Sequence, residues 1–165
     1  MSLSAPSAHT LHRHSHAAAD GTCELTYEDR FLRRKRLTTA EGWSFIVDLP
    51  QTTSLNAGDQ LELTDGRRVA VAAAPEPLLQ VSGDLTRLAW HIGNRHTPCE
   101  ITQTHLLIRQ DHVLKDMLLK LGAELTEVTA PFTPEGGAYG HGRTHGHDHG
   151  HDHGHSHDHS HDHAH

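Results

Sequence analysis

LLQVSGDLTRLAWHI, residues 78–92, opens the stretch of sequence that decides the fold. Its first four residues, Leu78–Val81, form a short apolar run that is typical of a β-strand. Asp84 can cap a helix, and the residues after it place apolar side chains at positions i, i+3, i+4 and i+7. The stretch therefore predicts a strand followed by an amphipathic helix, whose apolar face is formed by Leu85, Leu88, Ala89 and Ile92.

Two further strands, a second helix and a last strand follow. Cys99–Thr102 and Leu106–Arg109 have strand patterns, and so does Glu124–Thr129. Asp111 is the predicted cap of the second helix and Gly122 its end. The order strand–helix–strand–strand–helix–strand predicts a ferredoxin-like domain, which we place at residues 76–139. The apolar stripe of the second helix is Val113, Leu114, Met117, Leu118 and Leu121.

The residues before this domain have a β-strand pattern. Turn signals such as Asp65-Gly66 separate short runs of β-branched, aromatic or alternating apolar residues. Pro75 and Pro77 mark the boundary, because proline ends strand pairing. We therefore expect a small all-β domain at residues 23–75, an α+β chain, and Trp43, Phe45 and Trp90 in the core. The predicted strands are Leu32–Leu37, Trp43–Leu49, Gln60–Leu63 and Arg68–Ala73.

The C-terminal segment, residues 140–165, is dominated by histidine. It has nothing apolar to bury, so the composition predicts a disordered tail. Its imidazoles, with four interspersed aspartates, are typical of transition-metal binding, and copper, nickel and zinc all suit them. A purification tag is the alternative, but such tags are usually blocks of consecutive histidines. The predicted ligands are His141, His145, His147, His149, His151, His153, His155, His157, His159, His161, His163 and His165.

The N-terminal residues 1–22 lack the apolar core of a secretory signal and are predicted to be a disordered extension. They carry His9, His12, His14 and His16, which are either an accessory metal-binding cluster or polar filler.

Composition narrows the class of function. The net charge is −7 with histidine neutral, which argues against general nucleic-acid binding. The two cysteines form no disulfide framework and fit a reducing cytoplasm. No apolar run approaches the roughly 20 residues that span a bilayer, so no membrane association is expected. An H-E-x-x-H motif, a nucleophile–base pair and a phosphate-binding loop are absent, so the chain is not expected to be an enzyme.

Several motifs carry a resemblance to a known family. They are HIGNRHTP at residues 91–98, DHVL at 111–114 and PFTPEGGAY at 131–139, with DLP at 48–50 and APEPLL at 74–79 in the β-rich half. From about Leu25 onward the chain resembles the urease accessory protein E family. That resemblance implies a metallochaperone that delivers Ni²⁺ to apo-urease, built from a peptide-binding-like β domain and a ferredoxin-like metal-binding domain.

The resemblance also implies roles for single residues. His96, which ends the Gly93–His96 run, matches the family's central nickel ligand at the interface of a homodimer. His112 matches one half of a peripheral His-x-His site whose other half is Gln110 here, and a solvated helix residue is the alternative. Cys99 matches an apolar position rather than a ligand.

The basic run from Arg30 to Arg36 is the expected docking surface for the urease accessory GTPase, which acts with apo-urease. Its candidate contacts are Arg33, Arg34 and Arg36, and a merely solvated charged face is the alternative.

Two other functions compete with nickel delivery. The first is a storage or detoxification protein whose tail holds zinc, copper or nickel. The second is an adaptor that mainly recruits the GTPase through the β-rich half, with metal binding secondary.

Overall fold

A computed structural model describes residues 4–136, which form ten strands and two helices in two sheets. The first sheet contains β1 (Ser7–His12), β2 (Gly21–Leu25), β3 (Phe31–Thr38), β4 (Ser44–Ser54), β5 (Gln60–Leu63) and β6 (Arg68–Ala73). The second unit contains β7 (Pro75–Ser82), α1 (Leu85–Asn94), β8 (Glu100–Ile101), β9 (Leu106–Arg109), α2 (His112–Lys120) and β10 (Glu124–Pro131). The α+β class and the two-part organisation predicted from the sequence are confirmed.

The first sheet has the strand order β2-β6-β5-β1-β4-β3. It curls until its two edge strands approach each other: the Ala40 amide donates to the Thr22 carbonyl at 2.8 Å, and the Cys23 Sγ lies 3.6 Å from the Thr38 carbonyl. The curled sheet encloses one apolar core, which excludes water from side chains of every strand. Its fully buried members include Phe45, Val47, Leu61 and Val69.

The prediction of a disordered N-terminal extension is wrong, because residues 7–12 form β1 in the middle of the first sheet. β1 runs parallel to β4 and antiparallel to β5. Ala8 is fully buried and Leu11 packs against the core. Two apolar residues among polar ones give a weak sequence signal, so the strand is specified by its neighbours rather than by its own pattern.

A half-buried ion pair fixes the end of β1. The Arg13 Nη1 lies 2.7 Å from the Asp59 Oδ2, and the Asp59 side chain has no exposed area. The same carboxylate accepts hydrogen bonds from the amides of His14 (3.1 Å) and Asn56 (2.8 Å). Arg13 also donates to the Ser54 carbonyl at 2.8 Å. These bonds hold the segment after β1 against the turn before β5.

The second sheet has the strand order β10-β7-β9-β8, and all its neighbours are antiparallel. Both helices pack on one face of it, where the core contains Leu79, Val81, Leu88, Ile92, Leu106, Ile108, Leu114 and Leu118. The predicted caps are confirmed: the Asp84 Oδ1 accepts from the Arg87 amide, and the Asp111 Oδ1 accepts from the amides of Val113 and Leu114. Gly122 follows α2 with φ = 84°.

Three details of this unit differ from the sequence prediction. Trp90 is 63% exposed and Val113 is 51% exposed, so neither belongs to the core. Pro75 and Pro77 lie inside β7 rather than before it. Their missing N–H groups are tolerated because β9 pairs with β7 only from Leu78 onward, which leaves one side of the strand without a ladder partner there.

The opposite face of the second sheet packs on the first unit. Tyr27, Leu78, Leu107 and Phe132 form a small buried cluster, and the rings of Tyr27 and Phe132 lie 5.5 Å apart in an edge-on arrangement. Arg30, only 3% exposed, donates from Nη1 to the Leu25 carbonyl at 2.8 Å and from Nη2 to the Phe132 carbonyl. The Tyr27 amide donates to the Glu76 carboxylate at 2.8 Å. The two units are therefore joined by both apolar packing and hydrogen bonds.

Within residues 4–136, neither helix is long and apolar enough to cross a membrane.

We predict that Arg13→Met lowers the free energy of unfolding by about 3 kcal/mol, because it leaves the Asp59 carboxylate buried without its cation. Urea unfolding at pH 7 measures the change. The double variant Arg13→Met/Asp59→Asn should recover much of the loss. The control Arg87→Met removes an exposed arginine and should change the free energy by less than about 0.5 kcal/mol; an equal loss in both single variants would contradict the stabilising role of the Arg13–Asp59 ion pair.

Candidate metal centre

His96 follows Arg95, the residue that caps the end of α1, and has a left-handed backbone conformation with φ = 55°. The His96 amide donates to the Gly93 carbonyl at 3.0 Å, and the Thr97 amide reaches the Ile92 carbonyl at 3.4 Å. These two bonds are those of a Schellman motif, in which the residue at the position of His96 is usually glycine. A side chain at this position costs about 1 kcal/mol, although histidine tolerates it better than most residues. The side chain of His96 is exposed.

The segment after His96 lines a cleft between the two units. Thr97 and Pro98 face Arg109, Gln110 and Asp111 across a cavity of about 510 Å³. His112, the second predicted ligand, begins α2 on the far side of this cleft and is exposed. Asp111 is occupied as the helix cap, as the sequence predicted. Within residues 4–136, no three His, Cys, Asp or Glu side chains are grouped as a metal site.

Exposed apolar side chains lie beside His96. A groove of about 440 Å³ runs between the end of α1 and α2, and Val113, Met117 and Leu121 supply its apolar lining. Arg95, Asp116 and Lys120 complete that lining with charged groups of both signs. Trp90 stands on the outer side of α1 with its ring edge-on to His91. Clustered exposed apolar groups of this kind are typical of an association surface.

Cys99 packs at the edge of the second core, three residues after His96. Burial raises the pKa of its thiol to about 11, and the charges of Glu135 and Glu100 contribute to the shift. Burial, with the charge of Glu41, raises the pKa of the Cys23 thiol to about 11 as well. Since the thiolate is the form that binds metals, both residues are poor ligands near neutral pH.

The basic residues of β3 lie at the edge of the first sheet. Arg33, Arg34, Lys35 and Arg36 are all exposed, and a bulge interrupts the pairing with β4 between residues 32 and 34. Arg34 stands opposite Asp48 on β4. Arg30 does not join this surface, because it is buried between the units. Basic residues on an edge strand also prevent it from pairing with other chains, so their charge has a structural role whether or not they bind a partner.

The N-terminal histidines are distributed over different contacts. The His9 Nδ1 lies 2.9 Å from the Asp48 carbonyl, and the His12 Nε2 lies 3.1 Å from the Glu62 carboxylate. The His14 amide is held by Asp59. These contacts give His9 and His12 structural roles. The predicted tail ligands from His141 to His165 lie outside the described residues.

The end of the described chain is fixed by hydrogen bonds to Cys99 and Glu100, which follow His96 closely in sequence. The Thr133 amide and Oγ1 both donate to the Glu100 Oε1 at 2.7 Å. The Glu135 amide donates to the Cys99 carbonyl at 2.8 Å. Just before them, Phe132 is fully buried in the cluster between the units. The partners are more than thirty residues apart in sequence, so local patterns carry no signal for these bonds.

His96→Gly should raise the free energy of unfolding by up to about 1 kcal/mol, because glycine adopts the left-handed conformation without steric cost. The same substitution at His91, inside α1, should lower it by roughly 0.5–1 kcal/mol. Denaturant unfolding of both variants measures the opposite signs. A loss of stability at His96 as large as that at His91 would show that the conformation of His96 carries no cost.

Both thiols should resist alkylation in the folded protein. A pKa of about 11 in place of 9.0 leaves roughly 100-fold less thiolate at neutral pH. Iodoacetamide kinetics from pH 7 to 11 should show rates that still rise at pH 10, whereas the urea-unfolded chain levels off near its ordinary pKa. Because both folded pKa values are raised, the thiols stabilise the fold fully below about pH 9 and lose that contribution toward pH 11. If the alkylation rate of Cys99 in the folded protein had its midpoint below pH 9, Cys99 would be a credible metal ligand.

Comparison with known proteins supports the family resemblance that the motifs around His96 carry. Residues 4–74 match the family described as UreE urease accessory protein, N-terminal domain, and residues 70–165 match its C-terminal domain. The urease accessory protein UreE of Ruegeria pomeroyi is 59% identical over 141 residues, which cover 84% of this chain and 95% of that protein. Its counterpart in Paracoccus denitrificans is 57% identical, with 84% and 90% covered. The chain belongs to the UreE urease accessory protein family.

Proposed function

We propose that this protein is a cytoplasmic metallochaperone of urease maturation, which binds Ni²⁺ and donates it, with the urease accessory GTPase, to apo-urease. Membership of the family supports the role in urease maturation. The observation that carries the metal assignment is His96: an exposed imidazole occupies the left-handed position of a Schellman motif, where glycine would be less strained. Strain retained at an exposed residue is typical of a functional position; His14, with φ = 45°, is the other non-glycine residue with positive φ among those described, and its amide is held by Asp59.

A homodimer would complete the site. In a twofold dimer the same surface meets itself, so a residue near the axis is paired with its own copy. One His96 from each protomer would then supply two imidazoles, and the apolar groove lined by Val113, Met117 and Leu121 offers a surface for the contact. Two imidazoles leave coordination positions open, which suits a protein that must release its metal. His112 remains a candidate for a peripheral ligand across the cleft.

The tail histidines would collect metal for this site. Residues 140–165 present many imidazoles close together in sequence, and such ligands also accept Zn²⁺ and Cu²⁺. Transfer from tail to His96 and on to the recipient is ligand exchange, so no covalent catalysis is proposed. In this proposal the second unit is a ferredoxin-like metal-binding domain, a view supported by its element order and its strand order.

The basic edge of the first sheet would hold the GTPase. Arg33, Arg34 and Arg36 are exposed on β3, where they can meet an acidic surface. The Arg33 Nε lies 3.4 Å from the Leu49 carbonyl, so part of its donor capacity is already directed along the sheet. Arg34 and Arg36 are therefore the stronger candidates for contact with a partner.

The composition of the tail also favours a second candidate, a store of zinc, copper or nickel. The two functions differ in which histidines matter. Delivery depends on His96, whereas storage depends on the tail and uses the folded part only as support.

His96→Ala should abolish most urease activation in cells grown with limiting nickel, while full-length protein whose tail histidines are changed to asparagine keeps much of it. The reason is that the tail raises the supply of metal but His96 holds it for transfer. Urease activity per unit of apo-urease is the measurement, with nickel bound by the purified protein from equilibrium dialysis beside it.

His105→Ala, at a histidine in the turn between β8 and β9 whose ring bonds only to the neighbouring Thr104 hydroxyl among the bonds described, is the control and should leave activation unchanged. Activation that survives His96→Ala but disappears with the tail histidines would instead support storage.

A further inference from the structure

The cavity of about 510 Å³ between the two units, which we call the inter-unit cleft, carries charged side chains that play no part in the proposed metal site. Glu76, on β7, and Arg109, at the end of β9, both line it. Pro77, Pro98 and Leu114 add apolar surface. A cavity of this volume at the junction of two units is typical of a small-molecule site.

The Glu76 carboxylate is buried without a cation. The residue is 8% exposed, and its Oε2 accepts a hydrogen bond of 2.8 Å from the Tyr27 amide. Among residues 4–136, its Oε1 has no hydrogen bond, and neither oxygen forms an ion pair with a basic side chain. A buried carboxylate is unfavourable unless a cation or several donors satisfy it. A ligand that brings an ammonium group into the inter-unit cleft would supply the partner that Oε1 lacks.

Arg109 leaves the same face of the second sheet as Glu76. Leu78 stands opposite Arg109 in the pairing of β7 with β9, and Glu76 precedes Leu78 by two residues, so all three side chains point toward the first unit. The Arg109 guanidinium lies 4.9 Å from the centre of the Tyr27 ring. Within the described part of the chain, its N–H groups form no hydrogen bond or ion pair. These donors can therefore bind a carboxylate.

Tyr27 keeps the two charges apart. Its amide holds Glu76, its ring holds Arg109, and the ring itself packs edge-on against Phe132. Opposite charges on neighbouring strands usually attract each other, yet Glu76 and Arg109 form no ion pair. Both groups are held in place beside one cavity, so a ligand with one charge of each sign would need little rearrangement of the protein in order to bind.

We propose that the inter-unit cleft binds a small zwitterion of the amino-acid class, whose ammonium group bonds to Glu76 and whose carboxylate bonds to Arg109. The exposed Glu28 carboxylate also lines the cleft and adds attraction for the ammonium group. Asp111 contributes less, because its carboxylate already caps α2. His96 does not line the cleft, so this proposal and the proposed metal site can fail independently.

A series of ω-amino acids tests the ligand class and the distance between its charges. Glycine, γ-aminobutyrate and ε-aminohexanoate are titrated into metal-free full-length protein at pH 7, beside butylamine and butyrate, which carry one charge each. Ligand-observed NMR measures the dissociation constants. One member of the series should bind at least about ten-fold more tightly than either single-charge probe, because each charge-assisted bond contributes a factor of about ten or more. A series that binds no better than butylamine and butyrate would overturn the proposal.

Two substitutions assign the two ends of the ligand. Glu76→Gln keeps an acceptor for the Tyr27 amide but removes the charge, so it should weaken the tightest ω-amino acid and butylamine about ten-fold without weakening butyrate. Arg109→Met keeps an aliphatic side chain and should weaken the same ω-amino acid and butyrate without weakening butylamine. Affinity that both variants leave intact, or that both lose for every probe, would contradict the assignment.

Matched controls separate the cleft from general effects of charge. Glu124→Gln and Arg87→Met remove one charge of each sign at exposed positions outside the cleft, and should leave every dissociation constant unchanged. Thermal unfolding shows whether each variant keeps the fold. If Glu76→Gln unfolds, Arg109→Met still decides the matter, because Arg109 is exposed and contributes no side chain to the core.

Discussion

The contact between Arg30 and the Phe132 carbonyl is the interaction on which the rest of the structure depends. Arg30 precedes β3 and Phe132 follows β10, so one guanidinium joins the beginning of the basic edge strand to the end of the second sheet. A buried guanidinium is costly unless its N–H groups are satisfied, and here it donates to two carbonyls next to the rings of Tyr27 and Phe132. The relative position of the two units depends on this contact together with the apolar cluster around it.

Much of the fold could be predicted because its signals are local. Gln60–Leu63, Arg68–Ala73 and Leu106–Arg109 are strands with the predicted bounds, and both helices begin after the predicted aspartates. A helix cap, a turn glycine or an apolar period involves only residues that are close together in sequence, so each can be identified without knowing the rest of the fold. β1 was missed because its partners lie some forty to fifty residues away. Trp90 was misplaced because a large aromatic side chain resembles a core residue whether its helix face is covered or exposed.

The residues of the candidate site also differ in whether the sequence around them carries a signal. His96 can be singled out only through the family resemblance that the GNRH run carries, because a histidine after a helix is in itself more typical of a capping or surface residue. The role of Arg30 could not be predicted, because an arginine in a basic run gives no sign that it will turn inward. Glu100 had no signal at all, because its partner Thr133 is brought to it only when β10 has paired with β7.

The central position of β1 affects how the first sheet assembles and what truncation of the chain would do to it. Residues 7–12 separate β4 from β5, so a chain that lost its first dozen residues would leave the first sheet as two fragments, β2-β6-β5 and β4-β3. Residues 7–12 can pair with β4 only after residues 46–47 are made and with β5 only after residues up to Leu63, and such long-range pairing favours slow closure of this sheet.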